Sequence, residues 1–214
     1  MFKEGTTAEV LAQKKAWVEQ AIAQYLQNLQ FLNQPMPEPV VYTFIADKYK
    51  RTSAFWEDTN VGIKGTVALS VWKEGETITA AEHSHLLWEK PDFTGDWNTY
   101  AFVQDKEFPF NREHAVNNAR FTYVQYPEPN GTFKKLNFQI GGDFYEADDL
   151  DSPDHICGNN VIQDAKTFLG TTAVNTDKTG TFDIIDNCDN ERQKINITYK
   201  VKREPSEFAG LVGN

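Results

Sequence analysis

The chain has 214 residues, of which 40% are apolar and 28 aromatic (5 Trp, 8 Tyr and 15 Phe). That content can bury the core of one domain over 1–214 and excludes wholesale disorder. Its 21 basic and 31 acidic side chains give a net charge of −10, which disfavours nucleic acid and anionic membrane as partners, and no run of 18 apolar residues is present to span a bilayer.

The first element expected is an amphipathic helix over 6–33. Thr6 and Glu9 have capping-box spacing, and Leu11, Val18, Ile22, Leu26 and Leu29 recur at intervals of 7, 4, 4 and 3. Those intervals place them in one apolar stripe. The opposite face carries Gln13, Gln20, Gln24, Gln27 and Gln30 with Lys14, Lys15 and Glu19. Such a helix packs on a sheet or across a barrel mouth, or joins two copies of the chain into a homodimer. Pro35, Pro37 and Pro39 then end it, because proline cannot continue the hydrogen-bond ladder.

Residues 40–203 read as a series of strands and turns. The segments 40–46, 50–56, 64–72, 77–88, 99–104, 120–126, 132–145, 167–175, 179–185 and 194–203 are rich in β-branched and aromatic residues. Lys73 to Glu76 reads as a turn. Asn130-Gly131 predicts a hairpin between 120–126 and 132–145, and Gly141-Gly142 a bulge. Strands following one another without βαβ units predict a mainly β chain. The expected form is an antiparallel up-and-down β-barrel, calycin-like or lipocalin-like in outline, with one N-terminal helix; a tightly packed sandwich is the alternative.

Histidine is scarce, at four residues, and two fall in His83-Ser84-His85. In an alternating strand His83, His85, Leu87 and Glu89 share a face, and two imidazoles with a carboxylate can converge on a divalent metal. His114 supplies a third imidazole. This arrangement resembles, in part, the metal motifs of the cupin family. That family's first motif is matched by His83, His85, Glu89 and Gly95, and its second by Pro109, His114 and Asn118, with Asn111 where the family prefers Gly. The resemblance implies a small β-barrel with His83, His85, Glu89 and His114 as metal ligands. Without metal, the same His83, His85, His114 and Glu89 are candidate acid–base residues. The structural alternative is two half-exposed strand histidines and an unrelated loop histidine.

Further features carry weaker signals. Asn175 to Asp186 has oxygen residues at calcium-loop spacing, but its flanks read as strands, and a glycine-bulge hairpin at Asp177 to Gly180 is the expectation. Glu146 to Asp154 reads as a solvated acidic loop. Cys157 and Cys188 either form one disulfide or remain reduced thiols. No nucleophile elbow and no phosphate loop occurs. The start, Met1-Phe2-Lys3-Glu4-Gly5, reads as cytoplasmic, or as secreted if a leader was removed.

The aromatic residues suggest a cavity. Trp72, Trp88, Tyr100, Phe102, Phe121 and Tyr123 lie in or beside strands, where half of such residues would face a common interior. The expected function is binding of a small, largely apolar or aromatic molecule in that cavity, without a cofactor. The alternative is an enzyme using the same cavity, either a cofactor-free isomerase or cyclase with a His or Glu as acid–base, or a metal-dependent enzyme holding one divalent ion.

Overall fold

The computed structural model describes residues 8–32, 36–52, 62–77, 84–91, 106–112, 114–147, 154–156, 158–170, 173–185 and 194–207. The chain divides into two compact units, residues 1–38 with 126–133, and residues 39–125 with 134–214.

The first unit holds α1 (Ala8–Leu32), a 25-residue helix that agrees with the expected span. Trp17, Val18, Ile22, Tyr25 and Leu26 of its apolar stripe are exposed. Among the described residues no helix is long and apolar enough to cross a membrane. The same unit contains the Asn130-Gly131 turn. Asn130 Oδ1 accepts from the Thr132 N–H at 3.0 Å, and Gly131 takes a φ of 75° that a side chain would resist.

The second unit is built of two antiparallel sheets. The strands are β1 (Val40–Arg51), β2 (Gly62–Lys73), β3 (Ser84–Lys90), β4 (Glu107–Pro109), β5 (Arg120–Gln125), β6 (Leu136–Ala147), β7 (Asp154–His155), β8 (Asn159–Asp164), β9 (Asp177–Ile185) and β10 (Lys194–Glu204). In the first sheet β10 lies between β9 and β1. The other edge of β1 is shared by β5, along Val40–Ile45, and β4, along Lys48–Lys50. In the second sheet β2 lies between β3 and β6. The other edge of β6 is shared by β8, along Asn137–Gly142, and β7, at Tyr145 and Glu146. Both sheets thus consist of long central strands with one edge divided between two short ones.

The inner faces alternate as strand geometry requires. Phe44, Ala46 and Tyr49 of β1 are buried, as are Val67, Leu69 and Val71 of β2, Phe138, Ile140 and Phe144 of β6, and Ile195, Ile197 and Tyr199 of β10. Rings of the two sheets touch: Phe44 lies 5.1 Å from Phe138, Tyr49 5.7 Å from Trp88 and 6.1 Å from Phe144, and Phe138 6.0 Å from Tyr199. Each fully buried ring removes enough apolar area from water to stabilise the fold by about 1.5–3 kcal/mol. Two sheets sharing one core in this way form a sandwich. Among the described residues no strand pairing joins the sheets, so closure into the expected up-and-down barrel is not shown.

Three local expectations are corrected. The Asn130-Gly131 turn joins no hairpin, because β5 pairs with β1 and β6 with β2, in different sheets. The strand expected at 167–175 begins instead as a short helix, α2 (Ala165–Leu169). Asp164 accepts from the Thr167 N–H at 2.6 Å, and Gly170 closes the helix at φ 65°. Those caps override the β preference of Thr167 and Phe168. Finally, β9 runs straight through Gly180, so neither a hairpin nor a calcium loop forms there. Gly180 lies opposite Tyr199, and a Cβ on it would stand 2.4 Å from the ring's Cζ. The segment 99–104, residues 148–153 of the acidic loop, Cys157 and Cys188 lie outside the described residues.

Candidate functional site

The outer face of the second sheet carries a groove whose origin can be followed residue by residue. With Val67, Leu69 and Val71 turned into the core, Thr66, Ala68, Ser70 and Trp72 of β2 face outward. Strand register then places their neighbours. Leu86, Ala68, Gly141 and Asn160 form one row across four strands. On one side of it runs the row Ser84, Ser70, Gln139 and Ile162, and on the other Glu89, Thr66 and Asp143. The middle row has its two smallest members, Ala68 and Gly141, at its centre. Low floor and taller polar walls produce a trough of about 290 Å³.

The walls are hydrogen-bonding groups that the fold leaves unused. Among the described residues, the Thr66, Ser70 and Ser84 hydroxyls and the Gln139 and Asn160 amides make no side-chain hydrogen bond. Asn159, at the same rim, is tied down: its Nδ2 donates to the Asp183 carbonyl at 2.7 Å, and its Oδ1 accepts from the Asn160 N–H at 2.8 Å.

Asp143, in the lining of the trough, is paired with an imidazole just outside it. Asp143 Oδ1 and His155 Nε2 are 2.6 Å apart, both side chains being partly exposed. The His155 ring stacks on Tyr145 at 4.4 Å and 16°, and Lys64 Nζ lies 4.8 Å from the Tyr145 ring centre. The carboxylate fixes the imidazole from one side and the phenol ring from another.

The residues singled out in the sequence are distributed differently. A bulge in β3 falls at Leu87, between the Ala68–Leu86 and Val67–Trp88 pairs. It reverses the alternation, so that His85 lies opposite the buried Leu69, and Glu89 lies opposite Thr66 on the outer face. His85 stacks on Phe121 at 3.6 Å between ring centres. The common face expected for His85 and Glu89 is therefore absent, and these two do not converge on one ion. His114 is exposed at φ 61°, edge-on to Trp88 at 6.4 Å, and its carbonyl accepts from the Glu89 N–H at 3.1 Å. His83 lies outside the described residues, and among those described no group of three or more His, Cys, Asp or Glu side chains could hold a metal ion.

Of the aromatic candidates, Trp88 is 2% exposed and packs on Tyr49, Phe110 and Phe144. Phe121 and Tyr123 pair with the inward Phe44 and Tyr42, and burial pushes the Tyr123 phenol up, helped by Glu76. Trp72 stands on the groove face, opposite Asn137. Tyr100 and Phe102 lie outside the described residues. Sequence reasoning passed over Thr66, Ser70, Gln139 and Asp143, and weighed His155 only as a neighbour of Cys157. A signal for some of them exists, in the alternation of Thr66, Ala68 and Ser70 with Val67, Leu69 and Val71.

No known protein family matches the sequence, and no curated protein matches it. Among solved structures, human GIVD cytosolic phospholipase A2 aligns with 80% of this chain at 10% identity and a TM-score of 0.38. The chain spans 17% of that protein's length. A C2 domain of plant Extended Synaptotagmin 1 aligns with 80% of this chain and 98% of its own, at 11% identity and a TM-score of 0.35. Likenesses this slight assign neither a fold family nor a function.

Proposed function

We propose that this chain is a small-molecule-binding module whose ligand lies in the trough on the outer face of the second sheet. The observation that carries this reading is the unpaired set of hydroxyls and amides standing over the floor of Ala68 and Gly141. Polar groups that the fold does not use can exchange water for a ligand at little cost. The lining favours a hydroxyl-rich, neutral molecule. It does not favour the apolar guest that the aromatic content suggested, since the Trp88, Tyr49, Phe110 and Phe144 rings are engaged with one another.

The test is saturation-transfer NMR of the full chain with a panel of mono- and disaccharides and polyols. Transfer is expected to at least one member, and Ala68→Phe, which fills the trough without touching the core, should abolish it while leaving the circular dichroism unchanged. No transfer from the native protein, or equal transfer from the variant, would overturn the reading.

A second reading, acid–base catalysis on the bound molecule, is favoured by the Asp143–His155 pair. A carboxylate that orients an imidazole leaves the other ring nitrogen to take a proton. Product release from a bound saccharide by the native protein, and none by His155→Gln, would support it.

A further inference from the structure

The first sheet carries a different kind of concavity. Along one edge β1 is paired with β5 only as far as Ile45, and with β4 only from Lys48. On that edge Ala46 and Asp47, between them, are paired with no strand among the described residues, and the Asp47 carbonyl accepts from the Phe110 N–H at 3.1 Å. At the same point the register with β10 skips Asp47, which is a bulge that re-aims that side chain. The result is a notch of about 240 Å³, lined among others by Ile45, Asp47, Asn111, Asn118, Arg120 and Lys200.

The charges around the notch are unevenly matched. Lys200 and Arg120 flank Ile45 in one cross-strand row, so their Cα atoms stand about 10 Å apart, two strand spacings. Lys200 Nζ is held by Asp47 Oδ1 at 2.9 Å, and Lys48, just beyond, by Glu107 at 2.7 Å. The Arg120 guanidinium has neither an ion pair nor a hydrogen bond among the described residues. The lining therefore keeps one net positive charge, Arg120 and Lys200 against Asp47, on a chain whose total is −10.

The backbone beside Arg120 is strained. Asn117, Asn118 and the fully buried Ala119 have φ of 49°, 57° and 57°. L residues resist that left-handed conformation, and such strain gathers at binding sites. The turn brings Asn118 to the notch wall opposite Asn111.

We propose that this notch binds the carboxylate or phosphate group of a small anionic molecule. The Arg120 guanidinium takes the group through its two parallel N–H donors, and the Asn111 and Asn118 amides add neutral donors. The space equals about eight waters at ~30 Å³ each, which admits the anionic group with a small body attached. This site is independent of the trough on the other sheet, and either can fail without the other.

The test is amide-resonance mapping by heteronuclear NMR of the full chain, titrated with inorganic phosphate and, separately, with succinate. Saturable shifts at 45–47, 110–112, 118–120 and 200 are expected. Arg120→Gln should weaken the affinity by about tenfold or more, as for loss of a charge-assisted pair. Arg120→Lys, which keeps the charge but not the fork, should retain part of it, and Asn111→Ala should weaken it less. Saturation by phosphate alone identifies a phosphorylated ligand, and by succinate alone a carboxylic one; either supports the proposal. No saturable shift with either anion would overturn it. So would an Arg120→Gln protein of native affinity.

Discussion

The two sheets bury similar inner faces and present opposite outer ones. Outside the first sheet, four ion pairs stand among the described residues: Lys48 with Glu107, Asp47 with Lys200, Asp183 with Lys194 and Lys202 with Glu204. Outside the second, small and neutral groups predominate, and among the described residues the Thr66, Ser70, Ser84, Gln139 and Asn160 side chains around Ala68 and Gly141 make no hydrogen bond. Exposed ion pairs contribute only about 0–1 kcal/mol each, so those of the first sheet do not hold the fold together. Their effect is to neutralise part of that surface, Arg120 not included. Those hydroxyls and amides of the second sheet are satisfied by solvent, or by whatever replaces solvent. The core thus carries stability for both sheets, and the outer faces divide into one that is internally paired and one that is open.

The largest expected effect tests the shared core. Phe138 belongs to the second sheet, yet its ring meets Phe44 and Tyr199 of the first and Phe168 of α2. Phe138→Ala should lower the unfolding free energy by about 3–5 kcal/mol in denaturant titrations. A loss under about 1 kcal/mol would mean that the sheets do not depend on one another through this ring.

A glycine in each sheet sharpens the contrast. A Cβ on Gly180 would meet the nearly buried Tyr199 ring at 2.4 Å, and one on Gly141 would meet Asn160 Cβ at 2.8 Å. The ring is fixed by Phe138, Phe168 and Phe182, whereas Asn160 is exposed on an edge strand. Gly180→Ala should therefore cost about 1–3 kcal/mol through overpacking, and Gly141→Ala less than half as much. Equal shifts in melting temperature would erase the distinction between a neighbour fixed by the core and a yielding one.

How far this contrast was legible in the sequence depends on the range of the interactions involved. The helix at 6–33 was visible because its spacing is local, and Ala8–Leu32 agrees. So was the turn after β2, where Glu76 N–H donates to the Lys73 carbonyl at 3.0 Å. The mainly β, antiparallel character followed from residue type. Partner choice did not: Asn130-Gly131 is a turn in any context, but only long-range pairing decides that it links two sheets. The trough was hidden for a related reason. Its rows exist only once β2, β3 and β6 have a register, and the single extra residue at Leu87 sends His85 inward and Glu89 outward. Strict alternation, the basis for grouping His83, His85 and Glu89, has no means of showing a bulge.

A smaller effect is confined to the first sheet and appears at high pH. Burial pushes the phenols of Tyr42, Tyr49 and Tyr199 above their ordinary 10.0, Arg203 opposing it at Tyr42. The folded chain then keeps protons that the unfolded chain releases. Stability is complete below pH 10 and falls as pH rises toward the folded values. Phenolate absorbance should include a fraction that appears only together with loss of structure. If every phenol titrated smoothly near pH 10 with the fold intact, these rings would not be buried in a common core.

The smallest effect lies on the paired outer face, at the opposite end of the pH scale. Burial pushes the Asp183 carboxyl up, but hydrogen bonds from Asn196 at 2.8 Å and Lys194 at 2.7 Å, with the lysine charge, outweigh it and hold the group below 3.8. The depressed value means that its stabilisation is complete above the unfolded pKa, near pH 4, and is lost as pH falls through the folded value. Asp183→Asn should therefore lower stability slightly at neutral pH and flatten its decline below about pH 4. The side chain is 34% exposed, so solvent screening keeps the difference small. An unchanged acid limb would show that even a carboxylate with both oxygens engaged, one by Asn196 and one by Lys194, adds nothing measurable to stability at this exposed face.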